Sequence, residues 1–343
     1  MAKKMRAAMI GCGAIAERLH VPDYATTDEA EIVALCDIVR KKAQALADRW
    51  APQARIYTDY KKMLKSEEID CVTVALPNCL HAQMTIDALK AGCNVLVEKP
   101  MAASAEEAKR MCQAAKKAKK LLMVNQCQRL HPEHIKAKEV IDSGLLGKIL
   151  YVTAMFGHQG ADAWSPSSKW FFDKKQARFG AMGDLGIHKA DLVRYVTGKE
   201  IGEIAAHTAR LEKKGNVEDN FVSSFKFTDG TVGTLGSSWT VKGLGTNFMN
   251  IHCAKGSLMV GVHPTKPVLA GLHHPAGEIN FVPPPAIVKY ENTWGLDVSG
   301  RFVRACMGIE KPFCTGEDGA KSLDIILAAE KSAETGRAVK LKH

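Results

Sequence analysis

Nowhere in this chain do about eighteen uncharged, apolar residues follow one another, so no segment is expected to cross a membrane as a helix. Its ten cysteines contain no Cys-x-x-Cys pair, and neither a zinc knuckle nor a thioredoxin-like redox site is indicated. Seven of them lie between Cys12 and Cys127, mostly in apolar stretches such as Cys71-Val72-Thr73-Val74-Ala75. That distribution suits small buried thiols in a reducing cytosol better than a disulfide framework. Aromatic residues are scarce at 6%, and none interrupts the basic stretch from Lys109 to Lys120. The stacking platform that single-stranded nucleic acid uses is therefore missing there. No internal repeat or low-complexity linker is present, which removes solenoids and flexible tethers.

What remains is 343 residues, 46% hydrophobic and 24% charged, the balance of a globular protein with length for two domains. The net charge of +10 raises the question of nucleic acid or an anionic ligand. Its clearest cluster (Lys109, Arg110, Lys116, Lys117, Lys119, Lys120) falls on a helix expected over residues 105–119 and reads as a solvated face. No nucleic-acid partner is expected. Lys3, Lys4 and Arg6 followed by the apolar run Ala7 to Ala16 have the outline of a signal peptide, but the run reads instead as a first strand entering a glycine turn. A cytoplasmic protein is expected.

Met5 to Ile10 leads into Gly11-Cys12-Gly13-Ala14-Ile15-Ala16, which fits G-x-G-x-x-G/A with alanine in the third place. Gly11 permits the tight turn, Gly13 lets backbone approach a pyrophosphate, and Ala16 keeps the following helix, about Ile15 to Thr26, close to the strand. The N-terminus of that helix offers free N–H groups and a positive dipole end. A second apolar strand, Ile32 to Cys36, ends at Asp37, 24 residues beyond Gly13, near where a carboxylate accepts the adenosine ribose hydroxyls. An acid there favours NAD. Arg40, Lys41 and Lys42 can instead pair with the extra phosphate of NADP, and Asp37 can also serve as a helix N-cap. Strands at Ile69 to Ala75, Asn94 to Val97 and Leu121 to Val124, alternating with helices, complete a parallel sheet and close a first domain near residue 125.

From about Lys148 the texture changes to strands separated by turns: Ile149 to Phe156, Glu203 to Leu211, Phe221 to Phe227, Val232 to Trp239, Asn247 to Cys253 and Ser257 to Val262. Asp229-Gly230 marks a hairpin between two of them. The expected fold is α/β: an N-terminal Rossmann doubly wound parallel sheet over residues 1–125, and a C-terminal α+β domain over 126–343 with a large, mostly antiparallel open sheet. Helices are expected at about 295–307 and 316–334. The segment between Gly157 and Phe179 carries His158, Asp162, Trp164, Lys169, Trp170 and Phe172, aromatic faces and donors that suit a sugar or cyclitol.

Lys99 stands just past the carboxyl end of a parallel strand, the edge where open α/β sheets bind ligands, and a lysine there can stabilise charge on a substrate oxygen. Asp184 and His188 are spaced i, i+4 on a helix read from about Met182 to Tyr195. A histidine titrates near neutrality and can take a hydroxyl proton, while the aspartate can fix its tautomer or bind a neighbouring hydroxyl. His131 and His134 at i, i+3 have no evident third ligand, so no metal is expected.

The glycine turn, Pro77-Asn78-x-x-His81, Glu98-Lys99-Pro100 and Gly183-Asp184-Leu185-Gly186-Ile187-His188 occur in that order, and together they resemble the Gfo/Idh/MocA oxidoreductase family over essentially the whole chain. The resemblance implies a dehydrogenase of CH–OH groups using NAD, with NADP as the other possibility. It implies catalytic Lys99, Asp184 and His188, and cofactor contacts from Gly11, Gly13, Ala14, Ile15, Ala16, Asp37, Arg40, Pro77, Asn78, His81, Glu98 and Lys99. Substrate contacts are expected from Lys99, Arg129, Trp164, Trp170, Asp184 and His188. Gln128-Arg129-Leu130-His131-Pro132 departs from the family pattern, with Gln128 where a first arginine is common and Leu130 where an aromatic is. The implied substrate is a small sugar, glycoside or inositol, the implied assembly a homodimer or homotetramer. Two other functions stay open: a glycosidase that uses tightly bound NAD for transient oxidation, and a non-catalytic dinucleotide sensor.

Overall fold

The computed structural model describes residues 4–263, 265–286 and 295–342, and Lys3 of the charged start lies outside them. The chain divides into two compact units. The first comprises residues 1–127 together with 286–320, and the second 128–285 together with 321–343. The first unit is thus discontinuous, and residues 286–320, read from the sequence as part of the second domain, belong to it by their contacts.

The first unit is built on a six-stranded parallel sheet: β1 (Met5–Ile10), β2 (Ala30–Cys36), β3 (Arg55–Tyr57), β4 (Cys71–Val74), β5 (Asn94–Val97) and β6 (Leu122–Val124). Their order, β3-β2-β1-β4-β5-β6, is that of a Rossmann sheet, with the switch in strand direction of travel between β1 and β4. β4 is buried at every position, as a strand covered on both faces must be. The helix that follows β1 passes through a π-helical turn at Ala16–His20 before Val21–Ala25. Pro22 has no N–H for a carbonyl one turn back, and a widened turn accommodates that loss. The returning segment supplies the helix Val298–Cys306, whose Phe302 and Val303 are fully buried in this unit. The basic helix Ala105–Ala118 is capped by Ser104, which accepts the N–H of Glu107 at 3.2 Å. Lys109, Arg110, Lys116, Lys117 and Lys119 are all exposed on or just beyond it.

The second unit carries a nine-stranded sheet of order β14-β13-β12-β11-β7-β10-β9-β8-β15. Its strands are β7 (Ile149–Gly157), β8 (Ile201–Ala209), β9 (Asn220–Phe227), β10 (Val232–Ser238), β11 (Thr246–Cys253), β12 (Gly256–His263), β13 (Lys266–Leu272), β14 (Gly277–Phe281) and β15 (Val339–Lys340). β7 and β10 run parallel and the remaining pairs antiparallel. Strict alternation along β9 buries Phe221, Ser223, Phe225 and Phe227 and turns Val222, Ser224 and Lys226 outward. The buried face lies under the helices Pro132–Asp142 and Ile187–Thr197. β13 and β14, in a stretch punctuated by proline and glycine, were not legible as strands. The segment between Gly157 and Phe179 holds a run of short helical turns, at Ala161–Trp164, Lys169–Phe172 and Lys174–Ala177. All ten cysteines are free thiols.

Candidate functional site

In the first unit the glycine turn is tied to the sheet on both sides. Gly11 donates its N–H to the Cys36 carbonyl at 2.8 Å, and Ala75, just past β4, donates to the Ile10 carbonyl at 2.9 Å. Gly11 sits at φ +95°, and a Cβ there would lie 2.0 Å from the Ala75 carbonyl oxygen. Gly13 is the opposite case: beyond the glycine and its two chain neighbours, nothing lies within 4 Å of where its Cβ would be. That open position beside the helix start is what a backbone approach to a pyrophosphate requires. Asp37 completes the cradle by accepting the Cys12 N–H at 2.9 Å on one oxygen and the Val39 N–H at 2.8 Å on the other. It therefore braces the turn and is not the cap of the next helix, which begins at Arg40 with Val39 in the cap position. Arg40 is exposed and its guanidinium reaches the Ile56 carbonyl at 3.3 Å. The geometry fits a dinucleotide.

Further along the same sheet edge, Pro77 leads into a 3-10 turn, Asn78–Leu80, and the helix His81–Lys90. His81 is fully buried, and its ring nitrogens lie 2.8 Å from the Pro100 and Leu76 carbonyl oxygens. Burial pulls its pKa below the ordinary histidine value, against the opposing pull of those carbonyls and of Glu98. His81 thereby links the Pro77 turn to the Lys99-Pro100 segment, whose peptide bond is cis.

Glu98 is the centre of a buried polar chain. Its Oε1 receives Asn125 Nδ2 at 2.7 Å and lies 2.8 Å from His20 Nε2, while His20 Nδ1 lies 3.1 Å from Ser299 Oγ. Ser299 in turn gives its backbone N–H to Asp23 at 3.1 Å. Burial alone pushes the Glu98 carboxyl up, but the His20 hydrogen bond and charge, with Asn125 and Lys99, hold it below the usual carboxylate range. Glu98 Oε2 accepts the Lys99 backbone N–H at 3.2 Å, so the network fixes the chain where the half-buried Lys99 leaves the sheet. His20, Asn125 and Ser299 had no signal in the sequence, because each comes from a different element and none belongs to a local motif.

In the second unit Asp184 and His188 are both buried, on a helical segment that starts as a π-helical turn, Met182–Gly186, and continues as Ile187–Thr197. Gly183 and Gly186 let the widened turn pack closely: a Cβ on Gly183 would lie 2.5 Å from that of Phe179, and one on Gly186 3.1 Å from Ser237 Oγ. Asp184 Oδ2 accepts the indole N–H of the buried Trp239 at 3.0 Å. Glu218 accepts the N–H groups of Gly180 and Met182 at 2.7 and 3.0 Å, capping the same turn. Burial raises its carboxyl to about 7. The His188 ring lies 6.2 Å from that of Phe156, at the end of β7 on the buried face.

Arg129 makes a two-pronged, buried ion pair with Asp191, both contacts at 2.7 Å, beneath the Tyr195 ring. Its guanidinium is thus engaged within the unit, and Asp191 also receives Ser322 Oγ at 2.9 Å. Trp164 and Trp170 are half-buried and meet on Phe171, Trp170 stacked at 3.8 Å and Trp164 edge-on at 5.3 Å. His134 Nδ1 lies 2.7 Å from the Gln128 carbonyl, and no group of three or more potential metal ligands occurs among the described residues.

Comparison with known proteins adds three findings. Residues 5–126 match the Gfo/Idh/MocA model of an oxidoreductase family with an NAD-binding Rossmann fold, and residues 134–259 match the Gfo/Idh/MocA C-terminal domain. The chain is 31% identical over 265 residues to D-glucoside 3-dehydrogenase of Escherichia coli K12, covering 72% of this chain and 74% of that one. It is 26% identical to myo-inositol 2-dehydrogenase of Thermotoga maritima over 99% of both chains. Among solved structures, the WlbA dehydrogenase of Bordetella pertussis, in complex with NADH and UDP-GlcNAcA, superimposes with a TM-score of 0.86 at 25% identity, covering 100% of this chain and 99% of that one.

Proposed function

Because the chain belongs to the Gfo/Idh/MocA oxidoreductase family, and is thereby an NAD(P)-dependent dehydrogenase of CH–OH groups, we propose that it oxidises a secondary hydroxyl of a sugar, glycoside or inositol with Lys99, Asp184 and His188 as its catalytic set. The observation that carries the reading is the buried Asp184–His188 turn, in the unit that also presents the Trp164–Phe171–Trp170 cluster. Aromatic faces of this kind stack on the C–H faces of a pyranose or cyclitol. The printed substrates of the relatives, a glucoside and myo-inositol, support the same class.

The Gly11–Ala16 turn and Asp37 would hold the dinucleotide, with Pro77, Asn78, His81 and Glu98 shaping the sheet edge beyond it. When bound, its nicotinamide ring supplies the acceptor for the hydride leaving the carbinol carbon. His188 takes the hydroxyl proton, worth about 10²–10⁴-fold in rate for a positioned general base. Lys99, from its place past the end of a parallel strand, is assigned to stabilise negative charge developing on a substrate oxygen. Asp184 orients the reacting hydroxyl or the His188 ring. Asp37 favours NAD over NADP through repulsion of a 2′-phosphate. Tyr151, Val222 and Val232, exposed on the outward face of the second unit's sheet, support self-association as a homodimer or homotetramer.

The test is NADH or NADPH formation across methyl glucosides, free hexoses, myo-inositol and scyllo-inositol. Turnover with NAD on at least one member is expected, falling by about 10²-fold or more in Lys99→Ala and in His188→Ala. No reduction of either cofactor across the panel would sink the dehydrogenase reading for this substrate class, and undiminished turnover in both variants would sink the residue assignment.

A further inference from the structure

We propose that Trp239 is a positioning residue for the reaction, holding Asp184 in its working orientation through the indole N–H. The inference rests on the reading of Asp184 as part of the catalytic set. Trp239 stands one residue past β10 and is completely buried. Its backbone N–H is fixed to the Asp219 carbonyl at 2.8 Å, and Asp219 itself takes the N–H groups of Leu211, Glu212 and Lys213 at 2.9, 2.7 and 2.8 Å. The indole is thus set on a rigid piece of backbone. Its ring packs with Ala181, Leu185 and Val217, and Phe172 meets it edge-on at 5.5 Å.

The only polar group on that ring is a donor, and it points at Asp184 Oδ2 from 3.0 Å. An indole N–H cannot accept, so Oδ2 serves as an acceptor as long as the contact stands. This removes the freedom of the carboxyl to rotate about its terminal torsion, which is otherwise broad. Two neighbours hold the backbone of the same turn: Glu218 at its start, and Ser237 Oγ, which donates to the Ala181 carbonyl at 3.0 Å. Glu218 and Ser237 fix where the turn is, and Trp239 alone of the three reaches the Asp184 side chain. Phe172 belongs to the aromatic segment proposed to face the sugar, so the tryptophan also joins that segment to the carboxylate.

Two measurements on the full-length protein test this. In a ¹H–¹⁵N spectrum the five tryptophans give five indole signals; the one lost in Trp239→Phe is expected far downfield and shifts on Asp184→Asn. In kinetics with NAD and the fastest sugar of the panel, Trp239→Phe keeps the ring but loses the N–H. A fall in kcat of roughly 10- to 100-fold, the size of one hydrogen bond to a charged group, is expected with an unchanged KM for NAD. The double variant is expected to be no slower than Asp184→Asn alone. An equal loss in both backgrounds would mean that the ring acts through packing and would overturn the proposal, as would an indole signal indifferent to Asp184→Asn. An Asp184→Asn protein with parental kcat would instead remove Asp184 from the catalytic set, and Trp239's role with it. If Trp239→Phe folds poorly, the Trp239 indole is assigned instead by its through-space contacts to Ala181, Leu185 and Val217, and its shift in Asp184→Asn, which leaves the tryptophan in place, decides.

Discussion

Lys189 follows His188 in the chain, is completely buried, and its Nζ makes no hydrogen bond among the described residues. It lies over the Phe156 ring at 5.9 Å. Burial lowers its pKa from 10.5 to about 7, and the Glu133 carboxylate recovers only part of that. The unfolded chain holds this proton up to about pH 10, whereas the folded chain releases it near 7. Stability therefore rises with pH across that window, and the full penalty, about 5 kcal/mol for a depression of this size, is felt below pH 7. Glu218 works in the other sense: a folded pKa of about 7, raised from 4.5 by burial, makes stability fall as pH rises between those values. Replacing Lys189 by methionine, similar in length and apolar, is expected to raise stability to urea most at pH 6 and hardly at all near pH 10. A stability gain independent of pH would show that Lys189 carries no such penalty. None of this was legible beforehand. A lysine beside a histidine on a helix reads as a polar face until the sheet beneath that face is known. What the sequence did allow was placement: Asp184 and His188 on one helical segment, because they share a short motif, and Lys99 just past a strand.

At the level of single elements, each unit places a π-helical turn at its candidate site, at Ala16–His20 and at Met182–Gly186. Widened turns of this kind recur at functional positions because they carry one extra residue per turn and re-aim side chains. The sequence reading saw both segments as helices, with ends close to those observed, but hydrogen-bond period is set by packing and leaves no mark in hydrophobic spacing. The glycine turn offers a sharper contrast. Gly11→Ala drives a Cβ into the Ala75 carbonyl at positive φ, whereas Gly13→Ala points its methyl into open space. The first is expected to lower Tm by about 5 °C or more. The second is expected to leave Tm unchanged while weakening NAD binding by roughly tenfold, the cost of a methyl set against a phosphate. Calorimetric melting and NAD titration of both variants check the pair. Equal effects on Tm would show that the two glycines do one job.

For the molecule as a whole, the discontinuous first unit is the feature with the largest consequence. The helix Val298–Cys306 covers Val21–Ala25, β4 and β5, and its Ser299 ends the polar chain that begins at Asn125 and Glu98. Residues 1–127 expressed alone would expose the surface that Phe302 and Val303 cover, and are expected to melt well below the full chain and to aggregate. A fragment that melts cooperatively at the parental temperature would show that the return segment is dispensable. Local chemistry in the sequence determined the Rossmann alternation, the glycine turn, the motifs of the oxidoreductase family and most strands of the second sheet, because hydrophobic period and glycine demands act over a few residues. Only the tertiary structure decided that residues 286–320 rejoin the first unit, that Arg129 is paired with Asp191, that Asp37 braces the glycine turn and that Trp239 reaches Asp184. Each of those depends on groups far apart in the chain meeting in a buried place, where an unpaired polar atom is costly and a partner must be found.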